Sequence, residues 1–174
     1  MNAMKNLLLC IALLLPALTY GQDKFMLTED GLIPKFLKST LAPLPASMLY
    51  EKALTWIGEN EKSYELAIVD RTQDDVIVIT RIKRNAVNLG ESYFHAKYSV
   101  RISFENGHYK FEPVEIQLKV NSKYDMGWKD FDITDGSEYF KKGKPMRKYK
   151  SYTHNITDPF NELNMKLGSY LEED

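Results

Sequence analysis

The chain has 174 residues, in which 23 Lys and Arg are balanced by 24 Asp and Glu, and 44% of the residues are hydrophobic. This length supports one domain with a sizeable core. The formal charge of -1 argues against a dedicated nucleic-acid binder, which is usually basic. The composition also excludes a disordered chain, a collagen-like repeat and a disulfide-rich miniprotein.

Residues 1–21 have the layout of a secretory signal peptide. Lys5 precedes an apolar run, Leu7–Leu15, which Pro16 ends, and Gly21 supplies a small residue before the predicted cleavage site. A membrane anchor is the alternative, but this run is too short to cross a bilayer core of about 30 Å. We therefore predict an exported protein, periplasmic or secreted, without a transmembrane span after cleavage.

Cleavage would remove Cys10, the only cysteine of the sequence. The mature chain, residues 22–174, would then have no disulfide, no thiol nucleophile and no thiolate metal site. Lipidation of Cys10 is not expected, because the preceding residue is Leu9 rather than a small residue. An exported domain without cysteine fits a bacterial envelope better than a eukaryotic secretory route.

The mature chain begins with a predicted strand within residues 32–41, followed by a helix over residues 47–58. Ser47 is the predicted N-cap of that helix, and Gly58 lies near its end. The apolar residues recur at helical spacing at Leu49, Ala53, Trp56 and Ile57.

Alternating hydrophobicity predicts four strands after the helix, at residues 64–68, 76–82, 94–104 and 109–120. Asn106-Gly107 is the favoured pair for a two-residue type I′ hairpin turn between the last two of them. The alternation changes phase at Pro113, which predicts a bulge or an edge position there.

A second helix is predicted over residues 158–172, with Asp158 as N-cap and Pro159 as its first residue. The chain is therefore predicted to be one α+β domain of order β-α-β-β-β-β-α. An antiparallel sheet of about five strands would have both helices packed on one face. The core would lie in residues 32–120 and the second helix, and residues 121–153 would form a long connection.

Two stretches resemble a family of exported bacterial domains of unknown function, found mainly in Bacteroidetes and described as having a TATA-binding-protein-like fold. They are the helix Leu49–Ile57 and the strand pair Tyr98–Ile102 and Asn106–Phe111. The resemblance covers about residues 45–120. It implies the fold and export, and it implies no catalytic residue and no DNA binding, since a fold name describes backbone shape.

The three histidines, His95, His108 and His154, lack the close helical spacing of a zinc protease. We expect each of them to lie at the surface. The sequence also lacks a GxSxG nucleophile motif and a glycine-rich phosphate loop. No metal and no cofactor are therefore predicted.

A calcium-binding loop is one interpretation of four closely spaced acidic residues, Asp130, Asp132, Asp135 and Glu138. An EF-hand requires glycine at position 6 and glutamate at position 12, and counting from Asp130 these positions hold Asp135 and Lys141. The pattern favours a solvated acidic loop over a calcium site.

The most unusual stretch is residues 141–150, called the basic segment below. Tyr139, Phe140, Tyr149 and Tyr152 lie within it or beside it. Cationic and aromatic side chains together suit an anionic polymer, a lipid head group or an acidic protein surface. The predicted partner-binding residues are Lys141, Lys142, Lys144, Arg147, Lys148, Tyr149 and Lys150.

Two alternatives for the basic segment stay open. It could fold back onto the acidic half of the connection, residues 123–138, or form an extra hairpin with Gly143–Pro145 at its turn. For the protein as a whole, the sequence favours a non-enzymatic binding or accessory module for an envelope protein, glycan or lipid. The alternative is an envelope hydrolase that uses a carboxylate such as Asp130 or Glu138 with a histidine. A deep pocket with convergent ionisable groups would be expected for the enzyme.

Overall fold

The computed structural model describes residues 24–72, 75–124 and 127–173. The predicted signal peptide lies outside these residues. The helices are α1 (Ala46–Tyr64), α2 (Lys150–Asn155) and α3 (Asp158–Glu172). The strands are β1 (Met26–Thr28), β2 (Gly31–Ile33), β3 (Leu37–Thr40), β4 (Leu66–Thr72), β5 (Val76–Leu89), β6 (Ser92–Glu105), β7 (His108–Val120), β8 (Lys129–Phe131), β9 (Phe140–Lys141) and β10 (Lys144–Pro145).

The main sheet is antiparallel and has the strand order β3-β7-β6-β5-β4, with β8 as a further partner of β7. The predicted α+β class is confirmed, and the sheet has six strands rather than about five. Two short strands share the outer edge of β7, since β3 pairs with residues 108–111 and β8 with residues 116–118.

The side chains of strand β6 show why one face of the sheet is buried and the other is polar. Successive side chains of a strand point to opposite faces. Its buried series is Ala96, Tyr98, Val100, Ile102 and Phe104. Helices α1 and α3 cover this face with Leu49, Ala53, Trp56, Ile57, Phe160, Leu163, Leu167 and Leu171. The core therefore lies between the sheet and these two helices.

The first helix is longer than predicted and starts without a side-chain cap. Ser47 is not its N-cap, because Pro45 precedes the helix, and the Ala46 N–H donates instead to Asn106 Oδ1 at 3.0 Å. Gly58 is an exposed position within the helix. The cap is thus supplied by the β6–β7 turn, which is sixty residues away in sequence.

The end of the helix also differs from the prediction, since Tyr64 belongs to α1 and not to a strand. Its ring stacks on Trp56, with centroids 6.3 Å apart, and the Arg81 guanidinium lies 4.9 Å from its centroid. Glu65 then adopts a left-handed conformation, with φ of 49°, and ends the helix. Packing against Trp56 and Arg81 therefore extends the helix beyond the periodic stretch.

The predicted β6–β7 hairpin is present, but its turn is not of type I′, because Gly107 has positive φ and Asn106 does not. Glu105 pairs with His108 across the Asn106–Gly107 turn. The register shifts where Ser99 and Val100 face Glu115 and Pro113, so Val114 is the extra residue of a bulge. The predicted bulge beside Pro113 is confirmed.

The predicted first strand within residues 32–41 is present as β3, and the same stretch also contains most of β2, which was not predicted. This stretch contributes to two sheets, because β2 pairs with β1 in a separate hairpin and β3 joins β7. Pro34 lies between them and lacks the N–H that a continuous ladder requires.

The connection 121–153 is structured over its described residues. It contains β8, the β9–β10 hairpin, α2 and two 3-10 turns, Ser137–Tyr139 and Arg147–Tyr149. The extra hairpin in the basic segment is present, with its turn at Lys142–Gly143, one residue earlier than predicted. Both turn residues have positive φ, 54° and 72°, as a type I′ turn requires.

The β1–β2 hairpin is fastened to this connection. The Leu32 N–H donates to the Ile133 carbonyl at 2.8 Å, and the Gly136 N–H donates to the Glu29 carbonyl at 3.2 Å. These bonds hold residues 131–140 in place beside the sheet. Among the helices of the described ranges, none combines the length and apolar character needed to cross a bilayer.

Candidate functional site

A cavity of about 490 Å³ lies at the end of β6 and β7 that β8 borders. Three half-buried apolar side chains, Phe94, Leu118 and Val120, form the part contributed by the main strands. Aromatic rings and charged side chains from the connection supply the rest, namely Lys129, Asp130, Phe131, Asp132, Asp135, Ser137, Glu138, Tyr139 and Tyr152, together with Gly127. The cavity thus has an apolar side from the sheet and a mostly acidic side from the connection.

Aromatic rings from β8, the two 3-10 turns and α2 form a cluster beside this cavity. The ring of Tyr139 stacks on Phe131, with centroids 5.7 Å apart, and on Tyr152, with centroids 5.1 Å apart. Tyr149 meets Tyr139 edge-on at 5.1 Å. Phe140 and Tyr152 are buried. The aromatic residues interleaved with the cations therefore act mainly as anchors that hold the basic segment against the domain.

The cations of the basic segment all point outward. Each of Lys141, Lys142, Lys144, Arg147, Lys148 and Lys150 is exposed. Lys141 lies directly opposite Lys144 in the β9–β10 ladder, and the Lys148 Nζ lies 4.5 Å from the centroid of the half-buried Tyr149 ring. Within the described ranges, none of these six side chains forms an ion pair.

The alternative in which the basic segment folds back on residues 123–138 requires ion pairs between them. No such pair occurs among the residues that the structure describes. The tip of the hairpin instead meets the β1–β2 turn, where the Gly143 N–H donates to Glu29 Oε2 at 3.0 Å. The cations are left free to contact a partner.

In the acidic loop, residues 130–138, two carboxylates accept hydrogen bonds from the backbone of the loop itself. Asp132 Oδ1 accepts from the Thr134 N–H and hydroxyl, at 2.7 and 2.6 Å. Asp135 Oδ1 accepts from the Ser137 N–H at 2.8 Å. These hydrogen bonds lower the pKa of both carboxyl groups. In residues 24–72, 75–124 and 127–173, no three His, Asp or Glu side chains form a metal-binding group.

The carboxylates of the hydrolase alternative, Asp130 and Glu138, both line the cavity. Asp130 Oδ1 accepts from Gln117 Nε2 at 2.9 Å, and the Glu138 carboxylate contributes to the raised pKa of Tyr139. No histidine is among the described residues that line the cavity. The structure therefore provides a cavity with ionisable groups, as the hydrolase alternative expects, but without the histidine that this alternative includes.

The three histidines are dispersed. His95 Nδ1 accepts from the Asn85 N–H at 3.0 Å on the polar face of the sheet. His108 is half-buried beside the β6–β7 turn, and His154 is exposed in α2. Their positions do not create a shared site.

Two phenols of the aromatic cluster resist ionisation. Burial raises the pKa of Tyr152 to about 12. Burial also raises the pKa of Tyr139, and the hydrogen bond to Glu138 raises it further. Both hydroxyl groups therefore remain protonated donors at neutral pH.

We expect alkaline pH to unfold the protein cooperatively. Burial raises the pKa of Tyr98, Tyr139 and Tyr152, so the folded phenols stay neutral where unfolded tyrosine, with a pKa of about 10, ionises. Their contribution to stability is complete below pH about 10 and is lost as the pH rises through the folded values. Tyrosinate absorbance and circular dichroism recorded together measure this transition.

Two variants test the assignment to buried phenols. Tyr152→Phe removes one group that must stay neutral, so we expect its alkaline transition at higher pH than that of the parent. Tyr93→Phe changes a ring that is 53% exposed and should leave the transition where it is. Full ionisation of all tyrosines before any loss of structure would contradict the prediction.

Comparison with known proteins finds solved structures that are similar to this chain. No family model and no curated protein matches the chain. A crystal structure of a DUF4468 family protein from Bacteroides ovatus ATCC 8483 matches with a TM-score of 0.61 and 12% identity, over 80% of this chain and 85% of that one. A TBP-like protein from Parabacteroides distasonis ATCC 8503 matches with a TM-score of 0.57 and 11% identity, over 79% and 91%.

These likenesses show the fold. The predicted TBP-like architecture is confirmed, and so is the predicted similarity to Bacteroidetes domains of unknown function with this fold. The cavity was not predicted, because its lining comes from separate stretches of the sequence. The available signal was the apolar end of the sheet, where Phe94, Leu118 and Val120 have no amphipathic helix to cover them.

Proposed function

We propose that the protein is an exported, non-enzymatic binding module that attaches to an anionic partner of the bacterial envelope through its basic segment. The partner would be an acidic protein, glycan or lipid. The observation that carries this proposal is the set of six exposed cations within ten residues, none of which has an ion-pair partner in the described part of the chain.

The arrangement of the hairpin supports binding. Like charges directly opposite each other in a ladder are destabilising, yet Lys141 faces Lys144 in β9–β10. An anionic group placed between them would relieve this repulsion. The repulsive pair is therefore better explained by a partner than by stability.

The contacts that hold the basic segment against the domain also favour a binding role. The stacked rings of Phe131, Tyr139 and Tyr152 hold the segment against the domain. Glu29 fixes the hairpin turn through the Gly143 N–H. A segment that is ordered before binding loses less conformational entropy when a partner arrives.

Other features support the non-enzymatic and exported parts of the proposal. A general acid requires a pKa near the working pH, so two of the four carboxylates that line the cavity, Asp132 and Asp135, are unsuited to this role, because turn hydrogen bonds lower their pKa. Export is supported by the signal-peptide layout of residues 1–21.

Binding to anionic vesicles tests the proposal with a defined probe. Each lysine near an anionic lipid surface contributes about 1 kcal/mol. Lys141→Gln/Lys142→Gln/Lys144→Gln should therefore weaken binding to phosphatidylglycerol vesicles about 100-fold. Higher salt should weaken binding of the parent protein, because these charges are exposed and screened. Sedimentation of the protein with the vesicles gives the affinity.

A second triple variant controls for net charge. Lys24→Gln/Lys35→Gln/Lys62→Gln removes the same charge from exposed lysines outside the basic segment. We expect it to bind like the parent protein. Heparin takes the place of the vesicles to test a glycan, and polyglutamate to test an acidic protein surface. Equal loss in both triple variants, or no binding of the parent to any of the three probes, would contradict the proposal.

A further inference from the structure

We propose that the cavity beside β8 binds a small organic cation with an apolar body. This inference is independent of the proposed function, because it concerns other side chains and a ligand of the opposite charge. The cavity of about 490 Å³ is within the range of small-molecule sites.

The sheet supplies the apolar contact. Phe94, Leu118 and Val120 lie at the end of the face on which the helices pack, and they remain half-buried. Leu118 and Phe94 extend the hydrophobic core to this point. An apolar ligand body that covered them would remove their remaining surface from water, which is favourable.

The connection supplies the charge. The described lining contains four carboxylates and one ammonium group, Lys129. A concave surface with charges mainly of one sign attracts ligands of the other sign. The cavity therefore favours a cation and disfavours an anion with the same body.

Acceptors remain for the head group of the ligand. Asp130 uses Oδ1 for the bond from Gln117, and an ionised carboxylate has a second oxygen that also accepts. Glu138 lines the same cavity, next to Tyr139 in the sequence. An ammonium group donates up to three hydrogen bonds, so it can use more than one acceptor of the cavity lining.

Three probes with similar hydrocarbon bodies separate charge from apolar contact. They are 2-phenylethylamine, 2-phenylethanol and 3-phenylpropionate, which are a cation, a neutral molecule and an anion at neutral pH. We expect the amine to bind at least tenfold more tightly than the alcohol, and the propionate to show no saturable binding. Titration followed by NMR should place the shifts at Phe94, Leu118 and Tyr139.

Matched variants assign the charge effect. Asp130→Asn/Glu138→Gln keeps the hydrogen-bond acceptors and removes two charges, so it should weaken amine binding about tenfold and leave alcohol binding unchanged. Glu59→Gln/Glu61→Gln removes the same charge from exposed positions on α1 and should have no effect. The inference is overturned if no probe binds, if amine and alcohol bind equally, or if both double variants weaken binding to the same extent.

Discussion

We expect Gly136→Ala to lower the free energy of unfolding by about 3 kcal/mol, at the upper end of the range for overpacking. A Cβ at this position would lie 2.0 Å from the Thr28 carbonyl oxygen. The clash is with backbone, which cannot turn aside as a side chain can. The Gly136 N–H also donates to the Glu29 carbonyl, so moving the loop away would break that bond.

The helical glycine provides the control for this substitution. At Gly58, which is exposed in α1, an added Cβ meets nothing within 4 Å. Alanine there should stabilise the protein by about 1 kcal/mol, because glycine is the poorer helix former. Urea denaturation measures both changes. A stability of Gly136→Ala equal to that of the parent would show that the β1–β2 hairpin is not held against residues 134–136.

We expect Glu162→Gln to cost about 2–3 kcal/mol. The Glu162 carboxylate contacts three cations, Arg81 at 3.1 Å, Lys83 at 3.4 Å and Lys166 at 3.2 Å. Removing one partner of a buried ion pair costs about 3–5 kcal/mol. We expect a cost at or below the lower end of that range, because the Glu162 side chain is 30% exposed. The cost is still larger than that of a surface pair, because the Arg81 side chain is only 7% exposed.

Two further variants test this explanation by denaturant unfolding. Arg81→Met/Glu162→Gln removes the buried cation together with its partner, so it should be more stable than Glu162→Gln alone. Glu65→Gln removes a carboxylate from an exposed pair with Arg84 and should cost at most about 1 kcal/mol. The explanation fails if Glu65→Gln and Glu162→Gln cost the same.

The same ion pair makes the free energy of unfolding depend on pH in the acidic range. Burial raises the pKa of Glu162, but Arg81, with Lys166 and Lys83, outweighs burial and brings the pKa below its usual value. The folded carboxyl group thus binds a proton less readily than the unfolded one. Its contribution is complete above the unfolded pKa of about 4.3 and is lost as the pH falls through the folded pKa. Glu162→Gln should lack this part of the acid dependence.

Hydrophobic periodicity was sufficient to predict an element where one of its faces is buried and the other is exposed to solvent. Strand β6 was predicted within two residues at each end, because its buried and polar side chains alternate without a break. Strand β5 continues to Leu89, beyond the predicted end at Ile82, through the polar stretch Lys83–Asn85. Lys83 and residues 87–89 pair with β6 on either side of an irregularity at residues 84–86, and local hydrophobicity does not predict that pairing.

The features that the sequence did not predict depend on contacts between residues that are far apart in the chain. The N-terminal bond of α1 comes from Asn106, and its last residue, Tyr64, packs on Trp56. In the basic segment, the exposure of the cations follows from the charge run, whereas the inward direction of Tyr139 and Tyr152 depends on Phe131. The cavity requires β8 to lie beside β7, a pairing between distant residues that no local pattern encodes.

Capture from an envelope extract tests the central claim, that the basic segment binds an anionic partner. The chain from residue 22 onward is immobilised as the parent and as the two lysine triple variants, and retained protein, lipid and glycan are identified by mass spectrometry. We predict that the parent and Lys24→Gln/Lys35→Gln/Lys62→Gln retain the same anionic species, released by salt, and that Lys141→Gln/Lys142→Gln/Lys144→Gln retains none of it. Retention of that species by all three would contradict the claim.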